Sequence, residues 1–152
     1  MSPHRQASRE DLSSSYTSPS GFYSVEFPAG WRISRQENIL NLYPPWGTGA
    51  VTVSAFKREG DEPVPLTDLL RKAFMAARPL SELVAVQTNG WNSYQQEYLT
   101  QEAEGELEWI AIAAEKDQVF ALITSFDLTQ VMPVRRPAYL RVLYSLEILP
   151  PG

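Results

Sequence analysis

Residues 106–116, ELEWIAIAAEK, run into residues 118–126, QVFALITSF, with Lys116-Asp117 as the join. Two segments joined so tightly read as a β-hairpin, with Ile110 and Ile112 expected opposite Phe120 and Leu122. A strand with one face in water alternates apolar and polar side chains. These two are apolar almost throughout, as strands are when both faces are covered. That requirement constrains the fold more than any other feature: the rest of the chain has to supply a layer on each side of a sheet.

Two segments have the helical period needed for those layers. Leu66, Leu69, Leu70, Ala73, Phe74 and Ala77 form one apolar stripe, with Thr67 as the expected N-cap, Asp68 in the first turn, and Pro79 ending the helix. After Pro133 the stripe is Val134, Ala138, Tyr139, Val142, Leu143 and Leu146, in which Pro137 is tolerated if it falls in the first turn. The remaining ordered segments alternate with a period of two. In residues 23–27 the core face is Tyr23, Val25 and Phe27, and Pro28-Ala29-Gly30 reads as the turn of a hairpin returning through Trp31 and Ile33. Residues 38–43 carry Ile39 and Leu42 inward, and residues 50–58 alternate through Val51, Val53 and Ala55. Residues 82–87 and 91–101 are two further strands around the turn signal Asn89-Gly90.

Residues 1–20 are serine-rich, with Pro3, Pro19 and few apolar side chains, and are expected to be a disordered arm. Residues 21–152 are expected to form a single domain, a size that suits 152 residues. With 13 basic and 18 acidic residues the formal net charge is −5, which argues against nucleic acid as a partner. No apolar run approaches the ~20 residues of a membrane-spanning helix. The N-terminus has no hydrophobic stretch behind its charges, so it is not an intact secretory signal. The expected compartment is the cytoplasm, or an extracytoplasmic one if a signal segment was removed.

There is no cysteine, which excludes disulfides, thiolate nucleophiles and Cys-ligated metals. The one histidine, His4, lies in the arm, so a Ser–His pair has no base in the domain. Gly47-Thr48-Gly49 lacks a third glycine and precedes a strand, so it does not read as a phosphate loop. Arg135 and Arg136 read as solvated cations at a helix start. No cofactor or metal is expected, and the chain is not expected to be an enzyme.

Two clusters remain as candidate partner-binding residues. Tyr43, Pro44, Pro45 and Trp46 form a rigid apolar loop; Trp46 either plugs the sheet edge, the commoner fate of a tryptophan, or meets a partner together with Tyr43. Glu102, Glu104, Glu106 and Glu108 form an acidic run with Glu106 and Glu108 on one strand face. It is read either as a solvated hairpin surface or as a docking surface for a partner protein, and it lacks the spacing of a calcium loop.

Phe27-Pro28-x-Gly30-Trp31 after the first strand, and Ser145-Leu146 after the last helix, resemble the PsbP-like superfamily. The order of elements over about residues 21–149 resembles that group as well, while the stretch characteristic of PsbP after Gly-Trp, with acidic residues preceding Val-Ser-Val, has no counterpart here, where residues 38–49 read NILNLYPPWGTG. The resemblance implies an α+β fold, an α/β/α sandwich with a mostly antiparallel sheet. The residues independently give the same components: about six to seven strands and two main helices. No functional residue carries over. The expected function is a noncatalytic protein-binding or assembly module with an unknown protein partner. The alternative is a small-molecule or lipid carrier with a cavity between sheet and helix. The sequence leaves oligomeric state open.

Overall fold

The computed structural model describes residues 12–59 and 65–149. His4, Arg5, Arg9 and the rest of residues 1–11 lie outside the described residues, as do the loop residues 60–64 and the terminal 150–152. The elements run β1 (Ser14–Thr17), β2 (Tyr23–Phe27), β3 (Arg32–Gln36), β4 (Ile39–Tyr43), β5 (Ala50–Lys57), α1 (Leu66–Ala73), β6 (Arg78–Pro79), β7 (Val84–Thr88), β8 (Trp91–Glu102), β9 (Gly105–Lys116), β10 (Val119–Leu128), α2 (Met132–Tyr144) and β11 (Glu147–Ile148). The class is α+β, with two helices and open antiparallel sheets among the described residues.

The large sheet has eight strands among the described residues, rather than six to seven: β3-β4-β5-β10-β9-β8, with both β6 and β7 against β8. A second sheet, β1-β2-β11, has three. The long central hairpins have tight turns. Asn89-Gly90 and Asp117-Gln118 both adopt positive φ, the geometry that follows the twist of the strands they join.

β9 shows why both faces needed cover. Ile110, Ile112 and Ala114 pack in one cluster with Tyr139, Val142 and Leu143 of α2. Ala111 and Ala113 pack in the other with Leu66 and Leu70 of α1. The helices therefore lie on opposite faces. No helix among the described residues is long and apolar enough to cross a membrane.

Several expectations are corrected. Within the expected arm of residues 1–20, Ser14–Thr17 pairs with β2, and Leu12 and Tyr16 rest on the core, anchoring a segment that composition alone reads as loose. Pro28-Ala29-Gly30 is not a hairpin turn but a corner, because β2 pairs with β1 and β11 while β3 starts the large sheet. In β4 the buried pair is Leu40 and Leu42, opposite Val53 and Val51, and Ile39 faces outward. The β9–β10 turn lies one residue later than read, at Asp117-Gln118. Ile112 pairs with Ile123, while Phe120 and Leu122 pair with Glu115 and Ala113 and pack on the α1 side by the alternation of their own strand. Helix α1 stops at Ala73, with Pro65 rather than Thr67 at its N-cap, and Phe74–Ala77 form a turn into β6. In α2, Met132 replaces Val134 on the buried face, and Pro137 lies beyond the first turn on an exposed side.

The resemblance motifs have physical roles. Ser145 Oγ accepts from Glu26 N at 2.8 Å, tying the end of α2 to β2. The Leu146 carbonyl accepts from Trp91 Nε1 at 3.0 Å and from Asn89 Nδ2 at 2.8 Å, tying it to β8 and its turn.

Candidate functional site

Trp46 and Tyr43 do not form one exposed surface. Tyr43 is half-buried, with the Arg32 guanidinium 4.9 Å from its ring centroid. Trp46 turns inward and stands edge-on to Trp31 and Tyr139, with centroids 5.6 and 5.8 Å away. Its Nε1 donates to Asp127 Oδ2 at 3.2 Å.

Asp127, at the end of β10, is fully buried. Oδ1 accepts from Thr48 Oγ1 at 2.7 Å and from Leu128 N at 2.8 Å. Oδ2 accepts from Tyr139 Oη at 2.7 Å, Arg135 Nη1 at 3.2 Å and Trp46. Burial works to raise this carboxyl, but the hydrogen bonds from Thr48, Tyr139, Leu128 N and Arg135 together hold it below its ordinary range. Burial is also the main reason that the Tyr139 phenol is pushed up, with its bond to Asp127 next. The chemical consequence is a carboxylate that stays charged and a phenol that keeps its proton, so neither is poised to exchange one near neutral pH.

Gly49 is why this cluster closes. Its φ is +80°, and a β-carbon there would lie 2.0 Å from Tyr139 Oη and 2.6 Å from the Phe126 carbonyl oxygen. The Gly-Thr-Gly stretch thus serves packing: Thr48 binds Asp127, and Gly49 leaves room for Tyr139. Sequence reasoning missed Asp127; the available signal was an acidic residue closing the apolar run of residues 118–126. Arg135 and Arg136 are also corrected. Arg135 sits over the Trp46 ring at 4.9 Å, and Arg136 pairs with Glu97 through two hydrogen bonds, one of 2.6 Å, because β8 and β10 bring acidic groups up to α2.

The acidic run is divided. Glu108 is half-buried beside Glu97 and Arg136; burial and then the Glu97 charge raise its carboxyl, partly offset by Arg136. Glu104 is exposed in the β8–β9 turn. Glu106 accepts from Gln101 Nε2 at 2.6 Å. Among the described residues no group of three or more acidic or histidine side chains could hold a metal ion.

Glu102 and Glu106 do come together at one end of a groove on the α1 side, about 660 Å3 in volume. The eight residues of α1 span about 12 Å, too little to cover the sheet. Phe74, Trp109 and Leu122 line the groove, and Arg78 also borders it. Its aromatic side chains are fixed: Phe74 stacks on Tyr98 at 4.2 Å, and Trp109 Nε1 donates to Thr100 Oγ1 at 2.8 Å. Met75, Leu80, Leu83 and Val84 remain exposed on the neighbouring turn and edge, Met75 by 82%.

Solved structures share this architecture. A Bacteroides thetaiotaomicron protein superposes with a TM-score of 0.67 at 17% identity; the match covers 91% of this chain and 49% of that one, so this chain spans about half its length. Cyanobacterial PsbP (CyanoP) from Synechocystis superposes with a TM-score of 0.69 at 12% identity, covering 89% and 91% of the two chains. The chain has the PsbP-like fold. The Saccharomyces cerevisiae Ran-binding protein Mog1p shares it at a TM-score of 0.55 and 7% identity, covering 92% and 97%. No family model matches the sequence, and no curated protein does. These likenesses establish the PsbP-like fold and leave activity to be argued from this chain's own surface.

Proposed function

We propose that this chain is a noncatalytic protein-binding module and that its partner docks on the α1 side. The observation that carries this reading is the groove beside α1, with its fixed aromatic side chains and the exposed apolar side chains Met75 and Leu83, which line the space adjoining it at Phe74 and Ala77. Contiguous exposed apolar surface with a polar border is where proteins meet partners, and anchored aromatic rings are favoured there. The exposed Glu102, Glu104 and Glu106 at the hairpin end suit an apolar segment flanked by basic residues. Mog1p, of the same fold, is a Ran-binding protein, which agrees with a scaffold that presents a protein surface.

The locked Asp127 cluster supports the noncatalytic part of the reading, since its carboxylate is fully engaged by donors. A carrier would need space between helix and sheet, and beneath α2 that space is filled by Met132, Tyr139, Val142 and Leu143. The test is affinity purification of the tagged full chain and of Leu83→Asp, with the fold checked by circular dichroism. A protein that copurifies in stoichiometric amount with the wild type and is lost from the variant is expected. A wild type that runs alone, or a partner equally retained by the variant, overturns the reading.

A further inference from the structure

At the opposite end of the large sheet from the α1 groove, the small sheet and the β3–β5 end enclose a cleft of about 710 Å3. That volume is in the range of small-molecule sites. Phe22, Ile39 and Ala55 give it apolar walls. Tyr23 is the feature that packing alone does not explain. The residue is 4% exposed and its side chain belongs to the core. Yet among the described residues its hydroxyl makes no hydrogen bond, and the oxygen is not sealed from solvent. It is a donor and acceptor at the wall of the cleft, open to solvent and committed to no described residue.

Two cations border the same space. Arg35 Nη1 reaches Tyr16 Oη at a long 3.4 Å, leaving most of its guanidinium donors uncommitted, and Lys57 makes no ion pair among the described residues. Glu37 and Glu59 also border the cleft. Their charges oppose a multiply charged anion such as a phosphate ester, while a single negative charge is compatible with them. Burial first, and then Tyr16, push the Tyr23 phenol up to about 12, with Arg35 partly offsetting, so it remains a proton donor at neutral pH.

We propose that this cleft binds a monocarboxylate with an apolar body, its carboxylate between Arg35 and the Tyr23 hydroxyl and its body against Phe22, Ile39 and Ala55. Arg35 supplies the paired N–H donors that a carboxylate accepts, and Tyr23 supplies a third. This site is separate from the α1 groove and stands whether or not a protein docks there.

Octanoate is the probe, titrated into the full chain by calorimetry and by amide NMR. Saturable shifts centred on Tyr16, Tyr23, Arg35 and Ile39 are expected. Tyr23→Phe should weaken binding roughly 5-fold and Arg35→Gln about 10-fold or more, the scale of losing a hydrogen bond to a charged group. Unchanged amide shifts outside the cleft in Tyr23→Phe separate lost binding from lost fold. Ile39→Trp, at an already exposed side chain, should occlude the cleft and abolish binding. The proposal is overturned by any of three results: no saturable shift below about 5 mM, shifts centred on the α1 groove, or 1-octanol binding as tightly as octanoate. Binding that survives both Arg35→Gln and Ile39→Trp overturns it as well.

Discussion

The Tyr139 hydroxyl donates to Asp127 Oδ2 across 2.7 Å, and both residues are fully buried. Removing the hydroxyl in Tyr139→Phe should cost about 1.5–3 kcal/mol, the usual range for a hydrogen bond to a charged group. Asp127→Asn keeps the volume but removes the charge facing Arg135, and should cost about 2–4 kcal/mol. Denaturant unfolding of the two variants measures both. The folded Asp127 carboxyl titrates below its ordinary 3.8, so its contribution is full above that value and is lost as pH falls through the folded one. Between pH 5 and pH 2, Asp127→Asn should therefore lose less stability than the wild type.

Gly49→Ala should be more damaging than a glycine substitution in an open turn. The added carbon meets Tyr139 Oη at 2.0 Å and the Phe126 carbonyl at 2.6 Å, at a φ of +80°. A loss of at least about 3 kcal/mol is expected from overpacking with backbone strain. Adding Tyr139→Phe should restore only part of it, because the carbonyl clash persists. Full restoration would mean that the backbone contact is readily relieved.

Glu97 and Glu108 should respond oppositely to neutralisation. Glu97 forms the ion pair with Arg136, so Glu97→Gln should lower the melting temperature at pH 7. The Glu108 carboxyl is raised by burial and by Glu97. Its protonated form is favoured by folding, and that contribution is lost as pH rises through the raised value. Glu108→Gln should therefore melt at or above the wild-type temperature at pH 7, with a gain that shrinks in acid. Thermal melts at two pH values decide it.

The two layers around the sheet were legible because burial on both faces leaves a direct mark in the sequence: β9 and β10 cannot alternate. The two helices followed from period alone. Register was less legible, since two-residue turns at Asp117-Gln118 and at Lys116-Asp117 look alike in sequence, yet the first sets Ile112 against Ile123 and the second would set it against Ala121. The corner at Pro28–Gly30 was read as a hairpin because a turn motif does not say which sheet receives the next strand. β1 escaped notice because its anchoring contacts, Leu12 and Tyr16 on the core, are long-range. The same limit hid the Asp127 cluster, whose donors Trp46 and Thr48 lie 81 and 79 residues away in the chain. Trp46 stood out by type, but its direction depended on a partner that sequence does not place. Of the acidic run, only Glu102 and Glu106 reach the groove: Glu104 sits in the hairpin turn, and Glu108 lies beside Glu97 and Arg136.

Met75 and Val134 are each 82% exposed, Met75 beside the α1 groove and Val134 on α2 across the sheet. Equal accessibility makes them a matched pair for a photoreactive amino acid placed at either position in cells of the source organism. If the α1 side is the docking surface, the Met75 position yields a discrete crosslinked protein species, abolished by Leu83→Asp, and the Val134 position yields none. Crosslinking from Val134 alone, equal crosslinking from both, or none from Met75 would contradict it.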